Sequence, residues 1–144
     1  MKEFLDTNVL VAACVADHEH HARALPVVQK VHQGKAEGFV SAHSILETYA
    51  ILTRLPRVPR ISSMQASTLI ADNIVKYFSV VALTGKEYSE LSLKLGQNNV
   101  VGGKAYDVLH LTCAEKCGAD RIYTFNVRDF AQLAGQLASR ITAP

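Results

Sequence analysis

The sequence is poor in residues that break or staple a chain. Eight glycines and four prolines are scattered through 144 residues that are 49% hydrophobic and 19% charged. That composition excludes a collagen, a low-complexity linker and an intrinsically disordered chain. Three cysteines, Cys14, Cys113 and Cys117, are an odd and sparse set, which argues against a disulfide framework. No uninterrupted apolar run is longer than Val9 to Ala16, far short of the ~18–20 residues that span a bilayer. The opening Met1-Lys2-Glu3-Phe4-Leu5-Asp6 places two acids where a secretory leader carries basic and then apolar residues. There is no charge block, no internal repeat and no dividing linker. The formal charge of +2 permits a polyanionic partner without requiring one. A single cytoplasmic domain over residues 1–144 is expected, with no membrane contact, large enough to fold without staples.

What is present is an alternation of short apolar runs with longer amphipathic stretches. Strands are expected at Lys2 to Leu5, Phe39 to Ser41, Phe78 to Leu83 and Arg121 to Phe125, with a last short one at Arg140 to Thr142. Val9 to Ala16 reads as a buried helix, and Asp17 to His32 as a helical stretch kinked or broken at Pro26. His43 to Leu55 repeats apolar residues at Ile45, Tyr49 and Leu52 behind Ser41 as N-cap. Ser62-x-x-Gln65 and Thr84-x-x-Glu87 are capping boxes, opening helices to about Lys76 and about Leu95. Lys104 to Cys117 is helical and closed by Gly118, and Val127 to Leu137 is helical. Strands separated by helices imply an α/β fold with a parallel sheet and right-handed crossovers. In such sheets ligands bind beyond the carboxyl ends of the strands.

That rule directs attention to the acids. Asp6 directly follows the first strand, Asn126 follows the fourth, and Asp129 lies one helical turn on. Glu47 and Asp107 sit inside otherwise apolar helices. Each has a bland reading. Asp6 and Asp107 could be N-caps, Glu47 could pair with Arg54, and Asp129 could complement a helix dipole. Their joint placement points elsewhere, because several carboxylates converging on one cleft are costly unless a divalent cation neutralises them. Hard oxygen ligands favour Mg²⁺, with Mn²⁺ able to substitute, over Zn²⁺.

The segments Phe4-Leu5-Asp6-Thr7-Asn8-Val9-Leu10, Ser44-Ile45-Leu46-Glu47, Ala105-Tyr106-Asp107-Val108-Leu109-His110-Leu111 and Tyr123-Thr124-Phe125-Asn126-Val127-Arg128-Asp129-Phe130 together resemble the PIN-domain family, in length and motif order the VapC-type toxins of prokaryotic toxin–antitoxin pairs. The resemblance covers essentially the whole chain. It implies a three-layer fold with a central parallel sheet of four to five strands flanked by helices. It also implies a metal-dependent ribonuclease, a homodimer and inhibition by a cognate antitoxin. Asp6, Glu47 and Asp107 match the family's first three acids. The family often has Asp where this chain has Asn126, so either Asp129 supplies the fourth carboxylate with Asn126 as a positioning neighbour, or a second metal is held weakly. Thr7 and Asn8 would be hydrogen-bonding groups that orient Asp6. The expected chemistry is metal-assisted hydrolysis of RNA: Asp6 and Asp107 hold one or two Mg²⁺ ions, Glu47 and Asp129 assist, and the products carry a 5′-phosphate and a 3′-hydroxyl.

Other features carry weaker readings. Arg54, Arg57 and Arg60 recur every third residue and could grip RNA phosphates, meet an antitoxin, or form a solvated loop. His18-Glu19-His20-His21 is too crowded for one helical face and reads as surface or structural. Cys113 and Cys117 read as core packing. His110, one turn after Asp107, could lie near the site, but reads as a core or helix-surface histidine rather than a catalytic one. The helices from Ser63 to Lys76 and through Leu91, Leu93 and Leu95 offer apolar surface for a dimer seam, an antitoxin groove or an ordinary core. Two rival functions remain. A haloacid-dehalogenase-like phosphatase would use Asp6 as nucleophile, but needs an acid where Asn8 stands. A metal-poor RNA- or protein-binding module would not cut at all.

Overall fold

The computed structural model describes residues 1–144. Five strands, β1 (Lys2–Leu5), β2 (Glu37–Ser41), β3 (Ser79–Val81), β4 (Arg121–Tyr123) and β5 (Ile141–Thr142), form one sheet in the order β3-β2-β1-β4-β5. Every pairing is parallel. Seven α-helices connect and cover it: α1 (Thr7–Cys14), α2 (His21–His32), α3 (Ala42–Arg54), α4 (Ser63–Ile70), α5 (Gly85–Gln97), α6 (Lys104–Lys116) and α7 (Val127–Leu133).

Alternation along β1 sorts the core into two halves. Leu5 packs with Val9, Leu10, Val28, Leu52 and Ile74 on one face, while Phe4 packs with Leu91, Leu109, Ile122 and Phe130 on the other. The result is three layers, helices on both faces of a parallel sheet, as the alternation of elements predicts. Phe4, Leu5 and Ile122 have no exposed surface, the expected state of central strands covered on both sides.

Local signals set most of the helix starts. Ser41 caps α3 by accepting from the Ser44 N–H, and both capping boxes form, at Ser62 with Gln65 and at Thr84 with Glu87. Gly118 takes φ +68° just past α6, where a side chain would be strained. Gly38 lies within β2, where a Cβ would stand 2.5 Å from Val31 Cγ1 and 2.6 Å from Phe78 Cδ1, so this strand and its neighbours close only around glycine.

Some boundaries differ from expectation. The first helix begins at Thr7 rather than Val9, because Asp6 caps it. Pro26 does not break its helix: α2 runs through it, and the interruption falls earlier, in the turn before His21. The helix after Ser62 ends as α4 at Ile70 and continues as a π-helical turn, Ala71–Val75. The widened turn places the Asn73 carbonyl where the His32 Nε2 reaches it at 2.8 Å. The segment after α7 tightens into a 3-10 turn over Gly135–Arg140.

Candidate active site

β1 is central: the chain runs outward from it through β2 to β3, then crosses back to β4 and β5 on its other side. The carboxyl ends of β1 and β4 therefore flank a topological switch point, the usual position of a ligand site in an open parallel sheet. Asp6 stands there, as the residue between β1 and α1. Its backbone N–H donates to the Tyr123 carbonyl at 2.9 Å, which extends the β1–β4 pairing by one step. Asp6 is both helix cap and candidate ligand. The Thr7 N–H donates to its Oδ1 at 2.7 Å, and the Thr124 hydroxyl donates to its Oδ2 at 2.8 Å.

The hydroxyl of Thr124 is itself held from two sides. Asn8 Nδ2 donates to it at 3.2 Å and the Asn126 N–H at 3.0 Å, while Asn8 Oδ1 accepts from the Phe125 N–H at 3.2 Å. Asn8 therefore reaches Asp6 through Thr124. Thr7 reaches it through its backbone, while its side-chain hydroxyl donates to Ser44 Oγ at 3.0 Å.

Glu47 projects from α3, half-buried. Its partner is not Arg54, which forms no ion pair, but His43 one turn earlier, whose Nε2 lies 3.0 Å from Glu47 Oε2. The His43 ring stacks on Tyr106 at 4.7 Å between centroids. His110 is 2% exposed, and its Nε2 lies 3.8 Å from both Asp6 Oδ1 and Glu47 Oε1. Asp107 lies in the first turn of α6 but does not cap it, since Gly103 holds that position. Asp129 is exposed in the first turn of α7, and Asn126 is that helix's N-cap residue without a side-chain capping bond.

The electrostatics tie the four acids together. Burial raises the Asp107 carboxyl to about 6, with the charges of Asp6, Asp129 and Glu47 adding to it. Burial also raises Asp6, against the opposing pull of His110 and of its hydrogen bonds from Thr124 and Thr7. Glu47 goes the other way, held down to about 2 chiefly by His110. No Lys or Arg pairs with any of the four. The carboxylates share a field without closing into a finished coordination shell, for no three His, Cys, Asp or Glu side chains stand in metal-binding geometry.

Four side chains that sequence reasoning passed over, Thr124, His43, Ser41 and Ser44, are part of this site. His110, read as a core or helix-surface residue one turn from Asp107, is buried and lies between two of the acids. The spacings Asp107 to His110 and His43 to Glu47 put each pair on one helix face, a signal that was available. Thr124 had no comparable local mark.

The basic triplet is less uniform than its spacing suggests. Arg57 Nη2 donates to Asp17 Oδ2 at 3.1 Å and Nη1 to the Pro59 carbonyl at 3.0 Å. Arg54 and Arg60 are exposed. Arg57 also lines an apolar pocket of about 420 Å³ with Cys14, Ile61, Met64 and Leu69, none of which is an acid of the site. The histidine tract is structural: His21 Nδ1 meets the Ala12 carbonyl at 2.9 Å and His20 stacks on Phe125. The cysteines are free, with Cys113 buried.

The chain matches the PIN domain model over residues 4–136. Ribonuclease VapC40 of Mycobacterium tuberculosis is 35% identical over 115 residues, 79% of each chain. Ribonuclease VapC27 of the same organism is 31% identical over 105 residues, 73% of this chain and 71% of that one. Among solved structures, M. tuberculosis VapC20, described as a sarcin–ricin-loop-cleaving toxin, superposes with TM-score 0.68 at 19% identity, covering 90% of this chain and 94% of the other. VapBC2 of Rickettsia felis, bound to a DNA fragment from its promoter, gives 0.63 at 16% identity, covering 100% and 98%. These two establish likeness of fold. The family match spans nearly the whole chain, and the curated relatives cover more than two-thirds of it. This chain belongs to the PIN-domain family, among its VapC-type ribonucleases.

Proposed function

We propose that the protein is a Mg²⁺-dependent endoribonuclease, the toxin of a type II toxin–antitoxin pair, in which Asp6, Glu47, Asp107 and Asp129 form the metal-binding and catalytic group. One observation carries the reading. Carboxylates from four separate stretches share one field with no Lys or Arg to answer them, and burial, reinforced by the charges of Asp6, Asp129 and Glu47, lifts Asp107 to about 6. A protein that needed these residues only for folding would gain by pairing or removing them. The donor set is entirely oxygen, which suits Mg²⁺ or Mn²⁺. A cation bound there supplies polarisation of the phosphodiester and a lowered pKa for an attacking water.

The chain's own groups do the rest. Thr124 and the Thr7 N–H fix both oxygens of Asp6, so its orientation is set before a ligand arrives. Asn8 and the Asn126 backbone fix Thr124 in turn. Asp107 would join Asp6 as ligand, with Glu47 and Asp129 assisting. The side chain of Asn126 is exposed and makes no hydrogen bond, which leaves its carbonyl oxygen available as a neutral neighbour to Asp129. Arg54 and Arg60, both exposed, are the candidates for phosphate contact, and Arg57 reaches the same role only by releasing Asp17.

RNA as substrate and a cognate antitoxin as partner follow from likeness to the named ribonucleases and to the VapBC2 pair. A homodimer is supported by α5, where Leu91 is the one buried residue while Tyr88 is 47% and Leu93 66% exposed. No helix is long and apolar enough to cross a membrane, and a cytoplasmic site of action accords with RNA as substrate. The second reading, a metal-poor RNA- or protein-binding module, has in its favour that the acids do not yet close on an ion. An RNA cleavage assay with Mg²⁺ separates the two. Asp6→Asn and Asp107→Asn, checked for folding, should each lose about 10²-fold or more of the rate. Undiminished cleavage by both removes the proposal.

A further inference from the structure

We infer that a chain of three buried hydroxyls, Thr7, Ser44 and Ser41, sets the orientation of His110, and that His110 Nε2, at ion-pair distance from both, is a positioning group that spaces Asp6 from Glu47. This rests on the nuclease reading above, and concerns residues that the family's acidic motif does not include.

Thr7 Oγ1 donates to Ser44 Oγ at 3.0 Å, Ser44 Oγ lies 3.0 Å from Ser41 Oγ, and Ser41 Oγ lies 2.9 Å from His110 Nδ1. Ser41 and Ser44 are 1% and 0% exposed, Thr7 and His110 both 2%, so water does not compete along the chain. The relay is assigned the direction from Thr7 towards His110, with Nδ1 as its last acceptor. Ser41 Oγ already accepts from the Ser44 N–H at 3.0 Å as the cap of α3. Ser44 Oγ accepts from Thr7, so its own proton is left for Ser41, and the Ser41 proton for Nδ1. An imidazole that accepts at Nδ1 carries its proton on Nε2. Nε2 stands at the same ion-pair distance from carboxylate oxygens of two residues, 3.8 Å from Asp6 Oδ1 and 3.8 Å from Glu47 Oε1, close enough to attract both and too far to be saturated by either.

The four groups of the relay come from α1, the end of β2, α3 and α6. They gather where the elements bearing Asp6, Glu47 and Asp107 meet. A ring anchored on one side by hydroxyls and set equally between two carboxylates on the other holds those acids at a fixed spacing without a Lys or Arg. A lysine would neutralise them and displace a cation. An imidazole N–H can orient them and leave their remaining oxygens to bind. Partners of this kind, which orient a metal's ligands, typically affect affinity or activity ~10–100-fold.

The test compares substitutions that keep different nitrogens. His110→Gln places an amide nitrogen near the position of Nε2, His110→Asn places polar atoms near Nδ1 only, and His110→Leu keeps neither. Two readouts are taken: Mn²⁺ affinity by calorimetry without RNA, and the split between kcat and KM for RNA cleavage with Mg²⁺. His110→Leu and His110→Asn should weaken Mn²⁺ binding about tenfold and lower kcat with KM unchanged, His110→Gln should restore both to within about threefold, and Ser41→Ala should show a smaller loss of the same kind. If His110→Leu fails to fold, the Gln and Asn variants carry the comparison. Equal Mn²⁺ affinity in wild type and all variants, or recovery by Asn and not Gln, overturns the inference while leaving the nuclease reading intact. Absence of Mn²⁺ binding in the wild type overturns both.

Discussion

The two ends of the same sheet treat buried acid in opposite ways. At the amino end, Glu3 on β1 has no exposed surface and is paired with Lys30 of α2. The nearby Lys2 backbone N–H donates to Asp120 Oδ2 at 2.8 Å. The buried Glu3 charge there is matched by a lysine, and the arrangement serves the fold. At the carboxyl end, Asp6 and Asp107 sit together with Glu47 and Asp129 and no lysine or arginine pairs with them. Charge there is left over. The difference teaches how to find a site in a parallel sheet: the informative feature is not that an acid is buried but that the fold has declined to neutralise it.

The sharpest way to break that comparison is to remove one charged group from each end. Asp6→Asn should cost about 10²-fold or more in RNA cleavage while the protein stays folded. Lys30→Met should do the reverse. It strands the Glu3 carboxylate, and since Lys30 is itself 37% exposed the loss should be about 2 kcal/mol, below the ~3–5 kcal/mol of a fully enclosed pair. Urea unfolding reads the second effect and the cleavage assay the first. A Lys30 variant that loses activity at full stability would contradict the division of labour.

A smaller effect concerns pH. The Asp107 carboxyl titrates at about 6 in the folded chain against 3.8 for the unperturbed group. Between those values the native state binds more protons than the unfolded state, so without divalent cations stability falls as pH rises through about 6. Asp107→Asn removes that slope. It should raise stability near neutral pH by about 1 kcal/mol, a melting-temperature gain of ~2–4 °C, with the figure reduced because the group is half-exposed and screened by water. Thermal melts across this range, with chelator present, check the sign. A variant less stable than wild type at neutral pH would mean the cluster is not repulsive.

The smallest change sharpens the fourth position. Asn126→Asp adds a carboxylate beside Asp129 and should tighten Mn²⁺ binding about threefold, because affinity for such ions is tuned by the charge count of the ligands. Calorimetry on the single variant decides it. Unchanged or weaker binding would place Asn126 outside the ligand group.

Much of the fold was legible because its signals are local. Strand–helix alternation, two capping boxes, the Ser41 cap and the Gly118 stop each lie within a few residues. Asp6 was legible because it ends a strand, and Asp107 because it follows a glycine pair into a helix. What was hidden is what the chain must close upon itself to make. Thr124 meets Asp6 across 118 residues, and Ser41 meets His110 across 69. Neither pairing has a spacing that could announce it. The bland alternative for Glu47, a pairing with Arg54 two turns on, does not form: the nearer turn supplies His43 and Arg54 is left exposed. At Pro26, where the sequence predicts a kink or a break, the chain does not break: α2 runs through it, with Ala24, Val28 and Val31 buried against the core.

The central claim is that leftover negative charge at the carboxyl end of the sheet exists to hold a cation that cuts RNA. Removal of divalent ions from the wild-type protein tests it most directly. Chelated protein should leave RNA intact, and added Mg²⁺ or Mn²⁺ should restore cleavage to fragments bearing 5′-phosphate and 3′-hydroxyl ends. Cleavage that persists at full rate under chelation would contradict the account.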